Sequence, residues 1–211
     1  MKTTENPIDI VREGYDRASQ AYRGDTCDLE QSGYGHWIRR LRPRLADGAR
    51  VLDLGCGCGI PATHELAQHY RVTGVDLSPV QIERARTLVP GATFVCADMS
   101  EIDFEPGSFD AVTAFYSIIN VPLDRQPELF PRIARWLVPG GRLLAIVGRF
   151  PWTGIEPNFR GVKDVPMYWS HGSITDYRRW LTEAGFTIEE EGLQPERGEP
   201  GFSVLIARAG A

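Results

Sequence analysis

The sequence contains no run of about 18 apolar residues, the length that a membrane-spanning helix needs. It has only four cysteines, and Cys56 and Cys58 have no second cysteine or histidine pair at the spacing of a zinc site. The start, MKTTENPIDIVREGYDRA, is too polar for a signal peptide. Together these absences predict a cytoplasmic protein with no membrane association and no disulfide framework.

Strong positive charge is also missing. The 211 residues carry a formal charge of −5, and the densest basic stretch, 39–44, is interpreted as the solvated face of a helix. Because phosphate neutralisation supplies most of the affinity for duplex nucleic acids, we expect no nucleic-acid partner. The 42% hydrophobic content is ordinary for a globular protein of this length, which can bury a sizeable core.

The chain changes character after Gly48, where short apolar runs begin to alternate with amphipathic segments. This alternation is typical of a parallel sheet built from crossover units. Ser78 and Pro79 are favoured residue types at the N-cap and the first turn of a helix. The predicted strands are 50–54, 71–75, 93–95, 110–115 and 142–147, and the predicted helices between them are 61–69, 79–89 and 125–137.

Two other regions flank this core. Helical spacing of apolar residues over 6–20 and 29–45 predicts a helical cap, residues 1–47, before a core of residues 48–148. Residues 149–211 are expected to form a loop on the substrate side (149–172), a last helix (173–184) and a terminal hairpin with strands 186–193 and 202–208. The whole is predicted to be one α/β domain with a mixed sheet between helices.

The segment VLDLGCGCG, residues 51–59, runs from a buried strand into a glycine-rich turn. Glycines at such a turn allow a ligand to approach the backbone, although they also serve tight packing. A dinucleotide fingerprint would place its third glycine at position 60, which is Ile60, and no Gly-Lys-Ser/Thr of a P-loop follows. The carboxylate of Asp53 favours a cationic ligand over a pyrophosphate.

Acidic residues also follow the next two strands. Asp76, about 20 residues after the glycine turn, is placed to accept hydrogen bonds from ribose hydroxyls, or to stabilise the N-terminus of the next helix. Asp98 can accept from an adenine amine while Met99 packs on the ring, or it can form an ordinary Asp turn with Ser100.

VLDLGCGCG, VTGVDLSP, ADM and SFDAVTAFYSIINVP…IARWLVPGGRLLAIV together resemble, in order and spacing, the motifs of class I S-adenosylmethionine-dependent methyltransferases. The resemblance covers residues 49–148. It implies a Rossmann-like seven-stranded sheet in the order 3-2-1-4-5-7-6 with strand 7 antiparallel. It also implies S-adenosylmethionine as cofactor and S-adenosylhomocysteine as product. The cofactor-binding residues that it implies are Asp53, Gly55, Cys56 and Gly57 at the turn, Asp76 with Leu77, Asp98 with Met99, Phe115 near the methyl group, and Tyr15 and Tyr22 of the cap.

The sequence departs from family patterns in two places. Asn120 stands where many relatives have His, so no base is assigned there. The segment after the fourth strand lacks both the Asn/Asp-Pro-Pro-aromatic signature of nucleobase and glutamine methylation and the acids that hold magnesium in catechol-type enzymes. We therefore expect neither a nucleic-acid substrate nor a metal.

The stretch 149–172, RFPWTGIEPNFRGVKDVPMYWSHG, is the least family-like. Its aromatic side chains either form a small-molecule pocket or pack the segment onto the sheet. The candidate substrate-binding residues are Trp152, Tyr168 and Trp169, with His36, which faces the same pocket or solvent. His171 is the first candidate for a catalytic base and Tyr116 the second, although His171 can equally cap the following helix.

These features favour methyl transfer to a small molecule such as a secondary metabolite. Three alternatives remain at this point: a methyltransferase acting on a protein or peptide side chain, a nicotinamide-dependent oxidoreductase, and a non-catalytic nucleotide-binding module. The acceptor atom, the pathway and the oligomeric state are not encoded in any motif that we identify.

Overall fold

The computed structural model describes residues 6–26, 29, 33–196 and 199–210. Cys27 and residues 30–32 of the predicted second helix lie outside this part of the chain. The helices are α1 (Pro7–Tyr22), α2 (Tyr34–Leu41), α3 (Ala62–Ala67), α4 (Pro79–Leu88), α5 (Gln126–Trp136) and α6 (Ile174–Glu183), with 3-10 turns at Arg42–Arg44, Ile118–Asn120 and Phe159–Gly161. The strands are β1 (Arg50–Leu54), β2 (Arg71–Asp76), β3 (Thr93–Cys96), β4 (Phe109–Phe115), β5 (Leu137–Val147), β6 (Trp152–Glu156), β7 (Met167–His171), β8 (Phe186–Glu196) and β9 (Glu199–Ala209).

Seven of these strands form one sheet in the order β3-β2-β1-β4-β5-β9-β8. The first five are parallel, and β9 runs antiparallel to both β5 and β8. With β8 and β9 counted as strands 6 and 7, this is the predicted order and the predicted antiparallel strand, so the fold prediction is confirmed. Because β1 to β5 are parallel, their carboxyl ends lie at one edge of the sheet, which is where an open sheet of this kind binds ligands.

The sheet is covered on both faces because successive residues of its strands point to opposite sides. Val51 of β1 packs in a cluster with Trp37 of α2, whereas its neighbour Leu52 packs in a second cluster with Phe130 of α5. Both β1 side chains are fully buried. This two-sided burial fixes β1 in the centre and holds the turn that follows it.

Helix α1 lies across the edge of the sheet and is fastened to α4 by polar contacts. Asn6 caps it, since its side chain accepts from the backbone N–H of Ile8, and Pro7 follows at the first turn. Ser78 caps α4 as predicted and also donates its hydroxyl proton to Asp16 of α1, at 2.5 Å. The cap is thereby held beside the carboxyl end of β2.

The prediction of a loop over 149–172 is wrong. The segment contains the strands β6 and β7, which pair antiparallel as a separate two-stranded sheet with Trp152 opposite His171. Each strand has only five residues and β6 is mostly exposed, so neither carries the alternation by which strands are recognised in a sequence. Phe159 and Met167 of this region pack against Val11 and Ala18 of α1, so the segment 149–172 is in direct contact with the first helix.

Candidate active site

The turn after β1 requires glycine for two different reasons. Gly55 and Gly57 both have positive φ, at 73° and 55°, a region that other residues enter only with strain. A Cβ on Gly55 would overlap the side chain of Ser117, whose hydroxyl donates to the Leu54 carbonyl at 2.6 Å. A Cβ on Gly57 would meet no atom within 4 Å, so this part of the turn faces open space.

Asp53 is a buried carboxylate held by two hydroxyls. Thr63 donates to one of its oxygens at 2.6 Å and Thr113 to the other at 2.8 Å. Burial raises the pKa of Asp53, and the two hydrogen bonds oppose that rise. The group is therefore a fixed acidic side chain at the end of the central strand.

Asp76 joins the glycine turn to helix α4. One of its oxygens accepts from the backbone N–H of Gly57 at 2.8 Å, and the other accepts from that of Ser78 at 2.9 Å. Burial raises the pKa of Asp76 to about 6, against the effect of these two hydrogen bonds. Since each carboxylate oxygen can accept twice, Asp76 retains acceptor capacity for a ligand.

Asp98 forms the Asp turn that its sequence allows and still leaves one oxygen for a ligand. Its Oδ1 accepts from both the backbone N–H and the hydroxyl of Ser100, each at 2.8 Å. Its Oδ2 has no hydrogen-bond partner among the described residues. The two interpretations of Asp98 are therefore compatible.

These groups line one cavity at the carboxyl edge of the sheet, which we call the first cavity. All eleven predicted cofactor-binding residues border it: Tyr15, Tyr22, Asp53, Gly55, Cys56, Gly57, Asp76, Leu77, Asp98, Met99 and Phe115. Tyr34 and Asn120 border it as well and were not singled out in the sequence as cofactor ligands. The structure thus assembles the predicted set, while the role of each member stays a prediction.

A second cavity adjoins the first. The two share a wall of five side chains, namely Tyr15, Tyr22, Arg23, Tyr34 and Tyr116. Of the predicted acceptor-side residues, Trp152, Trp169 and His171 line the second cavity. Sequence reasoning missed Arg160 and Phe202. Phe202 carries no local signal, because it reaches the cavity only through the position of β9 in the sheet.

Two predicted substrate-binding residues are placed elsewhere. His36 is exposed on α2 and borders neither cavity. Tyr168 is half-buried and lies outside both linings, and its carbonyl accepts from the Asn120 side chain at 2.8 Å. Asn120 in turn accepts from the Tyr15 hydroxyl at 3.2 Å. The structure therefore gives Tyr168 a backbone role in holding the shared wall.

His171 lies at the end of β7 with its ring against Phe202, at 5.9 Å between centroids, and Trp152, at 6.3 Å. It does not cap the last helix, because Ser173 and Asp176 form a complete capping box there. Burial lowers the pKa of His171 below its ordinary value, so the ring is neutral at pH 7. A Cβ on Gly148 would overlap the imidazole, and glycine at that position leaves room for it.

Tyr116 follows β4 in a left-handed conformation, with φ at 56°. This conformation is uncommon for a residue with a bulky side chain and often marks a functional position. Its ring lies 5.9 Å from that of Tyr34 and 5.2 Å from that of Phe202. The unusual backbone thus carries the tyrosine ring to the wall between the cavities.

Comparison with known proteins agrees with this architecture. A family model described as a methyltransferase domain matches residues 51–141. The 27-O-demethylrifamycin SV methyltransferase of Amycolatopsis mediterranei (strain S699) is 35% identical over 93% of this chain and 78% of its own length. The chain belongs to the class I S-adenosylmethionine-dependent methyltransferases.

One further relative and one solved structure are also similar to this methyltransferase. Trans-aconitate 2-methyltransferase of Methylobacterium nodulans (strain LMG 21967 / CNCM I-2342 / ORS 2060) is 33% identical over 70% of this chain, which spans only 61% of that protein. Magnesium protoporphyrin IX methyltransferase of Synechocystis PCC 6803, solved with bound SAM, has a TM-score of 0.74 at 19% identity and 99% coverage of both chains. At this identity, the similarity to the Synechocystis structure shows a shared fold and nothing more.

No group of three or more His, Cys, Asp or Glu side chains within residues 6–26, 29, 33–196 and 199–210 is arranged to hold a metal ion. No helix in the same ranges is long and apolar enough to cross a membrane.

Proposed function

We propose that this methyltransferase binds S-adenosylmethionine in the first cavity and methylates a small molecule held in the second. The observation that carries the proposal is the shared wall, because Tyr15, Tyr22 and Tyr116 border both cavities. Groups bound on either side can approach each other there, and methyl transfer needs the two reacting atoms in line and close together.

The acidic lining of the first cavity and the open space beside its glycine turn support binding of the cofactor there. Asp53, Asp76 and Asp98 place three carboxylates around it, which suits a ligand carrying a sulfonium and an ammonium group. The open space at Gly57 admits a ligand against the backbone, and the unpartnered Oδ2 of Asp98 suits an amine donor. When bound, the cofactor supplies a methyl group on an electron-poor sulfur. In this proposal Asp76 accepts from the ribose hydroxyls, and the glycine turn contacts the methionine part.

The second cavity fits an organic acceptor. Its lining is dominated by aromatic rings, including Trp152, Phe159 and Trp169, with a few polar groups among them. By their names, the two curated relatives described above act on small molecules, a demethylrifamycin and trans-aconitate. Both facts support a small-molecule acceptor over a protein side chain.

His171 is proposed as the base and Tyr116 as the residue that positions the acceptor. A neutral imidazole can take the proton of an acceptor hydroxyl as the oxygen attacks, and the lowered pKa of His171 keeps the imidazole neutral at pH 7. Tyr116 reaches the wall where the transfer would occur. The aromatic rings of that wall exclude water from the reacting atoms.

We further infer that the enzyme acts in the cytoplasm and without a nucleic-acid partner. The net charge of −5 supports the second statement. The first is supported by Cys96, an exposed free thiol, which suits a reducing compartment.

Two glycine variants test the cofactor site. Gly57→Ala and Gly107→Ala each add a methyl group in open space at a positive φ, but only Gly57 borders the first cavity. We expect micromolar binding of S-adenosylmethionine by calorimetry in the wild type and in Gly107→Ala, and at least tenfold weaker binding in Gly57→Ala. Absence of heat and of any thermal shift in the wild type would refute the proposed function.

A panel of hydroxylated aromatic compounds, with peptides as competitors, tests the acceptor side. Mass spectrometry should detect an added methyl group on members of the aromatic set in the presence of S-adenosylmethionine. Transfer to peptides alone would show that the acceptor assignment is wrong while leaving the cofactor site intact.

A further inference from the structure

The two cavities differ in the sign of their charge. The charged side chains around the first are three aspartates and Arg23. Those around the second are Arg23, Arg160 and Glu156, and the imidazole of His171 is neutral there. Counted over the described residues, the formal charges of the second lining therefore have a positive sum, in a protein whose formal charge is −5. A cavity that reverses the overall charge in this way favours an anionic ligand.

Arg160 is a cation of this lining that has no counter-ion among the described residues. Its guanidinium lies 5.3 Å from the ring centre of Tyr22 and 5.7 Å from that of Phe159, so it rests on two rings of the cavity wall. No carboxylate of a described residue lies within ion-pair distance of it. The nearest acid in the lining by sequence, Glu156, accepts instead from the Trp169 indole at 3.1 Å.

The backbone around Arg160 holds this arrangement in place. Arg160 has a φ of 54°, an uncommon value for a residue with a side chain. Hydrogen bonds on both sides close the turn: the Phe159 N–H donates to the Val165 carbonyl at 2.8 Å, and the Gly161 N–H donates to the Asn158 carbonyl at 2.9 Å. The guanidinium is thus presented from a fixed turn, and its planar fork matches the geometry of a carboxylate.

We infer that the acceptor is a planar, hydroxylated molecule carrying a carboxylate that pairs with Arg160. The inference rests on the proposed function and deepens it, since it names the class of acceptor for the same second cavity. The aromatic rings hold the flat part of the molecule and Arg160 holds the carboxylate. Its hydroxyl then lies on the side of Tyr116 and His171, where its oxygen bonds to the methyl carbon, the carbon–sulfur bond breaks, and the proton passes to the imidazole.

The test compares a charged probe with its neutral isostere. We would titrate 4-hydroxycinnamate and 4-hydroxycinnamamide into the protein saturated with S-adenosylhomocysteine and measure binding by calorimetry. The wild type should bind the acid at least tenfold more tightly than the amide. Arg160→Gln should remove that preference, and Arg160→Lys should keep part of it, since it retains the charge but loses the planar fork.

Arg149→Gln is the matched control, because Arg149 also lies over an aromatic ring, that of Phe150, but borders neither cavity. It should keep the full preference for the acid. An unchanged melting temperature and an unchanged affinity for S-adenosylhomocysteine would show that each variant is folded.

Each other result overturns the inference. Equal binding of acid and amide by the wild type would show that the cavity does not recognise the carboxylate. A preference that survives in Arg160→Gln would assign the recognition to another group. If neither probe binds while S-adenosylhomocysteine does, the acceptor class is wrong but the proposed function stands, whereas loss of cofactor binding in the wild type would remove both.

Discussion

Three carboxylates at the ends of neighbouring parallel strands border the first cavity, whereas the second is bordered mainly by aromatic rings from α1, the β6–β7 hairpin and β9. Asp53 and Asp76 are fixed by hydroxyls and backbone N–H groups of the sheet edge itself. Trp152 and Ile155 of the hairpin are 49% and 54% exposed. The proposed site of the methyl donor therefore lies on the hydrogen-bonded edge of the sheet, and the proposed site of the acceptor lies partly on a more exposed hairpin attached to it.

The largest expected effect is on turnover, and it comes from a variant that changes the second cavity but not the first. His171→Gln should lower turnover of the best aromatic acceptor by about 10²-fold or more, because the proton of the hydroxyl would lose its base. The affinity for S-adenosylmethionine should stay unchanged, since His171 borders only the second cavity. Steady-state kinetics and calorimetry measure the two quantities.

His36→Gln is the control for this variant, because His36 is exposed and borders neither cavity. The pH profile provides a second readout. In the wild type, turnover should rise with pH through the pKa of His171, below its ordinary value of 6.5, and this limb should be absent in His171→Gln. Equal turnover of the wild type and His171→Gln would refute the role of the imidazole as base.

The next effect belongs to the first cavity. Asp76→Ala should weaken binding of S-adenosylmethionine by well over tenfold, because it removes the acceptor for the ribose and the group that holds the Gly57 N–H. Asp124→Ala, a change at an exposed position outside both cavities, should bind like the wild type. An unchanged affinity in Asp76→Ala would show that the ribose assignment is wrong.

The raised pKa of Asp76 predicts a smaller, pH-dependent effect at the same site. Below pH 6 the carboxyl takes up a proton and becomes a poorer acceptor, so cofactor affinity should fall by about tenfold between pH 7 and pH 5. The raised pKa of Asp76 also lowers the stability of the folded protein at pH values above 6. The folded pKa is higher than the unfolded one, so the stability that protonation contributes is lost as the pH rises through 6.

Calorimetry from pH 5 to pH 8 tests this dependence, with Asp76→Ala as the reference that lacks the titrating group. If the variant shows the same slope as the wild type, another group is responsible. The neighbouring Asp53 is then the first to examine, since burial raises its pKa as well.

The first cavity is also more predictable from the sequence than the second. The glycine turn, Asp76 and Asp98 stand at strand ends, and the strand order brings such ends together whatever the loops do. All eleven residues predicted from the sequence therefore border the first cavity, although Tyr34 and Asn120 of its lining were missed. Sequence reasoning could not place Phe202 or Arg160, because their positions depend on packing between segments far apart in the chain.

The second helix shows the limit at a smaller scale. The chemistry of His36 predicts a role in substrate binding, but Tyr34, two residues earlier, is the residue that borders both cavities. Residues two apart on a helix do not share a face, and here Tyr34 is buried whereas His36 is exposed. Tyr34 is buried against Phe115 with 4.9 Å between ring centres, a contact that only the folded chain reveals.

The smallest expected effect is on stability, at the rim of the second cavity. Trp152→Ala should change the free energy of unfolding by less than about 1 kcal/mol, because a half-exposed side chain loses little buried surface. Acceptor affinity should still fall several-fold, since the indole borders the cavity.

Trp136→Ala is the contrasting variant: that ring is fully buried in the core, and its loss should cost about 3–5 kcal/mol of unfolding free energy. Chemical denaturation and acceptor titration give the two numbers for each protein. A large loss of stability in Trp152→Ala would mean that the indole holds the hairpin onto the sheet, and the second cavity would then be as firmly built as the first.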